Sequence, residues 1–89
     1  MTSGRLVRRD GLDINPVEDG YVVYDALNDR VHYLNHTAAL VLEWCDGETT
    51  TPEIARRLQH AFALETPPEE EATRCVTQLL DEGLLVSDP

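Results

Sequence analysis

Arg30-Val31-His32-Tyr33-Leu34-Asn35-His36-Thr37-Ala38-Ala39-Leu40-Val41-Leu42-Glu43-Trp44-Cys45-Asp46-Gly47 is where the hydrophobic period of this chain changes. Residues 30–34 are β-branched and aromatic, as a short strand requires, and Asn35 then offers a side-chain oxygen to cap a helix. Leu34 sits where a hydrophobic staple would be. Ala38, Val41, Leu42 and Cys45 follow at i, i+3, i+4 and i+7, the spacing of one buried helical stripe. Asp46-Gly47 predicts the helix stop, with Gly47 suited to a left-handed position.

Upstream the period is two. Leu12-Asp13-Ile14-Asn15 alternates apolar and polar up to Pro16, which ends the strand or places it at an edge. Glu18-Asp19-Gly20 reads as a turn and Tyr21-Val22-Val23-Tyr24 as a second strand. Residues 25–29, Asp-Ala-Leu-Asn-Asp, supply the Asn and Asp that tolerate positive φ in a hairpin loop. Strands this short need helices over one face.

Downstream the period is helical. Thr51-Pro52 predicts an N-cap and a first-turn proline, followed by an apolar face of Ile54, Ala55, Leu58, Ala61 and Phe62. Thr66-Pro67-Pro68-Glu69 has capping-box spacing, and Glu69, Glu70 and Glu71 complement the positive end of a helix dipole. Ala72, Cys75, Val76, Leu79 and Leu80 face inward, Gly83 ends the helix, and Leu84-Leu85-Val86 predicts a terminal strand or an extended docking segment. The expectation is an α+β fold of winged-helix-like packing, a small three-stranded antiparallel sheet followed by three helices. Residues 1–11 are expected to form a flexible N-terminal arm and residues 12–89 the domain.

The 89 residues fall well short of the ~150 typical of one domain, too few to enclose a deep cavity. The longest apolar run, Ala38 to Leu42, cannot span a bilayer, and Met1-Thr2-Ser3-Gly4 has no apolar export region, so a cytoplasmic protein is expected. A formal net charge of −10, with every base an arginine, disfavours nucleic acid and anionic membranes. Arg5, Arg8 and Arg9 form the one dense basic run, read either as a frayed terminus or as an arm for an acidic partner. Cys45 and Cys75 read as small buried hydrophobes in preference to a disulfide or metal ligands. His32, His36 and His60 are scattered without ligand spacing, so no metal or other cofactor is expected. No motif supplies a nucleophile or base held by a third group, so no catalysis is expected. Trp44 reads as partly buried or as an exposed docking residue.

The run Tyr33-Leu34-Asn35-His36-Thr37-Ala38-Ala39, then Glu43-Trp44-Cys45-Asp46-Gly47, then Thr51, Glu53-Ile54-Ala55 and Leu58, then Leu79-Leu80 and Glu82-Gly83-Leu84-Leu85 resembles the PqqD family. These are the chaperone-like proteins of pyrroloquinoline-quinone biosynthesis and their relatives, the RiPP recognition elements. The resemblance runs from about Leu12 to Val86. It implies a winged-helix fold and a non-catalytic peptide chaperone. Such a protein binds the leader region of a ribosomally synthesised precursor by β-strand addition and presents it to a radical SAM or lasso-type maturase. It places the guest between a strand wall from Arg30 to Leu34 and a helix wall from Ala72 to Glu82. The candidate contacts are Arg30, Val31, His32, Tyr33 and Leu34 on the strand, and Arg74, Cys75, Gln78, Leu79 and Glu82 on the helix.

The residues suit that role independently. An unpaired strand edge offers main-chain donors and acceptors to an extended peptide. Val31 and Tyr33 point to one side of the strand and His32 and Leu34 to the other, and one pair packs inward. His32 reads as a half-exposed sheet residue or a peptide contact. Arg74, the one base of its helix, is set either for a leader carboxylate or for a contact with Glu70, Glu71 or Gln78. The competing reading is a winged-helix DNA-binding regulator, but the helix that would enter the groove opens with three glutamates.

Overall fold

The computed structural model describes residues 5–88. Strands β1 (Arg5–Arg8), β2 (Leu12–Val17), β3 (Gly20–Asp25) and β4 (Arg30–Leu34) come first. Helix α1 (His36–Trp44), strand β5 (Asp46–Thr49), helices α2 (Thr51–Ala61) and α3 (Glu69–Asp81), and strand β6 (Leu85–Asp88) follow. The strands form two antiparallel three-stranded sheets, ordered β2-β3-β4 and β5-β1-β6. The architecture is α+β, with the anticipated hairpin sheet and three helices and a second sheet that the sequence reading did not foresee.

That second sheet corrects the expectation of a flexible arm over residues 1–11. Arg5–Arg8 is the central strand, paired with β5 on one side and β6 on the other. Leu6, 3% exposed, anchors it in the core. Residues 1–4 lie outside the described residues. Arg9 neither frays nor reaches outward. Its guanidinium forms an ion pair with the buried Asp25, its Nε donates to Gly83 O at 2.6 Å, and its backbone N–H donates to Leu84 O at 3.1 Å. One side chain thereby ties the N-terminal strand to the end of β3 and to the turn after α3. Hydrogen bonds from Asn28, outweighing burial, and then the Arg9 charge hold the Asp25 carboxyl below the usual carboxylate range.

The hairpin sheet is in uninterrupted register, from Leu12↔Asp25 to Val17↔Gly20 and from Tyr21↔Leu34 to Asp25↔Arg30. Gly20 is required where β3 begins, because a Cβ there would lie 2.2 Å from Leu34 O. Asp29 takes the positive φ of the β3–β4 loop, at 55°.

Asn35 caps α1 as expected, its side chain accepting from the Ala38 N–H at 2.8 Å. Val41, Leu42 and Cys45 fill the core, and Ala39 is buried more deeply than Ala38. Asp46-Gly47 does more than stop the helix. It opens β5, where the Asp46 carboxylate accepts from the Glu48 N–H and the Thr49 hydroxyl, each at 3.0 Å. Those two bonds lower the Asp46 pKa against a smaller burial effect. Thr50, not Thr51, is the N-cap of α2. Phe62 caps the other end and is 47% exposed, and Ala61 is exposed as well, so the buried face of α2 ends at Leu58. The capping box at Thr66 does not form: Pro68 is the N-cap of α3, with no side-chain bond.

Ile54, Leu58, Val76 and Leu79 meet Val23, Leu34, Leu42, Leu84 and Leu85 in one core. Trp44 is partly buried against it, with the Arg57 guanidinium 5.9 Å from the ring centroid. Both cysteines are free. Cys45 is buried and its thiol donates to Val41 O at 3.1 Å; burial, with Asp46 next, pushes its pKa up to about 12. Cys75 is half-buried, and burial with the nearby Glu71 raises its pKa too. Among the described residues no helix is long and apolar enough to cross a membrane, and no cluster of His, Cys, Asp or Glu is fit to hold a metal ion.

Candidate functional site

β4 pairs with β3 on one side and, among the described residues, with no strand on the other. Its outer backbone groups therefore present a row of unpaired donors and acceptors. The alternation along the strand is now fixed. His32 and Leu34 point inward, at 9% and 5% exposed, whereas Val31 and Tyr33 point outward at 51% and 79%. Tyr33 lies opposite Val22, and Val31 opposite Tyr24, on the solvent face of the sheet. Arg30, opposite Asp25, is exposed where β4 begins.

Just past the C-terminal end of α3, the Glu82 side chain reaches His32 on the inner side of β4. His32 Nδ1 is 3.4 Å from Glu82 Oε1, and the Gln78 amide donates to Glu82 Oε2 at 3.3 Å. Helical spacing places Glu71, Cys75, Gln78 and Glu82 on one stripe, at i, i+4, i+7 and i+11. The structure thus links the edge strand to the end of α3 through one contact, between His32 and Glu82.

Several expected contacts take other roles. His32 is buried, not half-exposed, because its position in the alternation turns it inward and Glu82 closes over it. Leu79 and Leu34 are core residues, 1% and 5% exposed, so they support the walls without lining them. Arg74 takes the local option, with its Nη2 3.6 Å from Glu71 Oε1. An exposed pair of this kind contributes roughly 0–1 kcal/mol. His32 and Glu82 are both candidate contacts, but nothing in the sequence signals that they meet, which depends on where the chain leaves α3.

Two other concavities differ in kind. An open depression bordered by Glu70, Thr73, Arg74, Thr77, Gln78 and Asp81 is lined by α3 alone, so it is the solvent face of the helix and not the space between the walls. A narrow crevice between β2 and α1 is lined by Ile14, Tyr21, Ala39, Leu40 and Glu43.

Residues 20–85 match the family model described as coenzyme PQQ synthesis protein D (PqqD). A solved structure of lasso peptide synthetase B1 complexed with the leader peptide superposes with a TM-score of 0.70 at 21% identity, covering 92% of this chain and 98% of that one. At that identity the likeness concerns the fold. Comparison with curated proteins gives no match. The family match takes in β3, β4 and all three helices, and on that ground the chain belongs to the PqqD family.

Proposed function

We propose that this domain is a non-catalytic, cytoplasmic recognition module. It captures the leader segment of a ribosomally made precursor as an added strand on β4 and presents the remainder to a modifying enzyme of the radical SAM or lasso-maturase kind. The observation that carries the reading is the free edge of β4 beside α3, joined to it at one end by His32 and Glu82. Main-chain pairing supplies affinity for any extended segment. The side chains of Cys75, Gln78 and Glu82 on α3 supply selectivity, together with Val31 and Tyr33 on the open sheet face. The family and the leader-bound fold relative both support a peptide guest.

The DNA-binding alternative fits poorly. The exposed face of α3 presents Glu69, Glu70 and Asp81 with Arg74 as its base, and a duplex phosphate backbone would be repelled. The test is titration with synthetic leader segments of candidate ribosomally made precursors. We expect saturable binding at micromolar affinity or tighter, no turnover, and amide shifts concentrated on Arg30–Leu34 and on the Cys75–Glu82 stripe. Shifts confined to β2 and α1, or an absence of saturation, would refute the site.

A further inference from the structure

We infer that the open face of the hairpin sheet selects guest segments that carry aromatic or β-branched residues at two alternate positions, i and i+2. This rests on the strand-addition reading and names the class of segment that it admits.

The hairpin sheet has one covered face and one open face. Val23 and Leu34 lie on the covered face, at 0% and 5% exposed. On the open face the register sets out two cross-strand rows, Asp13–Tyr24–Val31 and Asn15–Val22–Tyr33. Each row begins with a polar residue on β2, the strand that contains Pro16, and turns apolar toward β4. In the second row exposure climbs from 8% at Val22 to 79% at Tyr33, and in the first Tyr24 and Val31 are 48% and 51% exposed.

Side chains directly opposed in neighbouring strands are close enough to pack, and aromatic residues pair well with β-branched ones. Val22 with Tyr33 and Tyr24 with Val31 are both pairs of that kind. Each row is a run of such contacts that stops, among the described residues, at a strand with no neighbour on its outer side. A strand added to β4 supplies the fourth member of each row. Because strand side chains alternate, the two guest residues that reach Val31 and Tyr33 are separated by one that turns to the other face. That spacing is the recognition rule. A second copy of this chain offers the same two side chains, but each copy carries a formal net charge of −10, so two such edges approach against like charge. A short peptide brings no comparable charge.

Two synthetic peptides of identical composition, each with one Tyr and one Val in a Ser/Gln framework, provide the test. In one the pair stands at i and i+2; in the other it stands at i and i+1, which splits it between the faces. Expected in calorimetric titration is an affinity about five- to tenfold higher for the alternate isomer. In Val31→Ser/Tyr33→Ser the ratio should fall to within about twofold. In Phe62→Ser/Leu64→Ser, which removes exposed apolar surface at the end of α2 instead, it should persist. If the strand variant melts early, Tyr33→Ser alone should narrow the ratio.

Equal binding of the isomers overturns the row rule and leaves strand addition standing. So does a preference that survives Val31→Ser/Tyr33→Ser, which would assign it to the helix wall, or one lost equally in Phe62→Ser/Leu64→Ser. Equal binding together with wild-type self-association that Val31→Ser/Tyr33→Ser abolishes would give the face to a second copy. Failure of both peptides to saturate the wild-type domain overturns strand addition, and the row rule with it.

Discussion

The hairpin sheet has two edges, β2 and β4, and they are built differently. β2 contains Pro16, which has no N–H to offer a new strand, and its neighbouring crevice is bordered by charged Arg8 and Glu43 beside Ile14 and Tyr21. β4 has no proline or glycine over its five residues, and its outward side chains are the large apolar Val31 and Tyr33. Chains guard edges that should stay unpaired with proline and charge. Here one edge carries a proline and the other does not, so the lesson of the pair is selective exposure.

That contrast is open to direct attack. The largest effect should come from Tyr33→Pro, whose side chain is too exposed to matter to the core. Leader affinity should fall at least roughly a hundredfold through loss of main-chain pairing, while Val17→Pro on β2 should leave it unchanged. Calorimetric titration of both folded variants decides the matter, and equal losses would mean that the edges are equivalent.

Leu79→Ala removes the buried support behind the helix wall. It should lower unfolding free energy by about 2–5 kcal/mol in chemical denaturation. An unshifted midpoint would place Leu79 on the groove surface.

Acid should act on the row that joins both edges, Leu12↔Asp25↔Arg30. Asp25 and Asp46 have lowered folded-state pKa values, so their stabilisation is complete above the unfolded value near 4 and is lost as pH falls through the folded values. Thermal melts should therefore drop steeply below about pH 4, and less steeply in Asp25→Asn/Asp46→Asn. Smallest of all, Arg74→Ala should change stability by less than about 1 kcal/mol, since the pair it breaks is exposed.

The parts of this fold that were legible share a local cause. Alternation at Tyr21–Tyr24 and Arg30–Leu34, the Asn35 cap, and the i, i+3, i+4 stripes of α1 and α3 all depend on neighbours in sequence. What escaped depends on distant partners. Arg5-Leu6-Val7-Arg8 has one deeply buried side chain among charges and becomes a strand because residues 46–49 and 85–88 close on it. Asp46-Gly47-Glu48-Thr49 has the composition of a turn, and its strand character comes from β1. At the site, the edge strand could be anticipated from its residue types. The burial of His32 could not, because it follows from where the last turn of α3 comes to rest.

The pairing of β1 with β6 sets Arg5 directly across from Asp88, so the two ends of the described chain lie roughly 5 Å apart, backbone to backbone. A module with adjoining ends can be spliced into a surface loop of a host protein, or have its ends joined and be reopened elsewhere, without disturbing the hairpin sheet. The β3–β4 loop, with Leu27 73% exposed, is a natural place to reopen it, provided that Asp25 and Asn28 stay on the same segment.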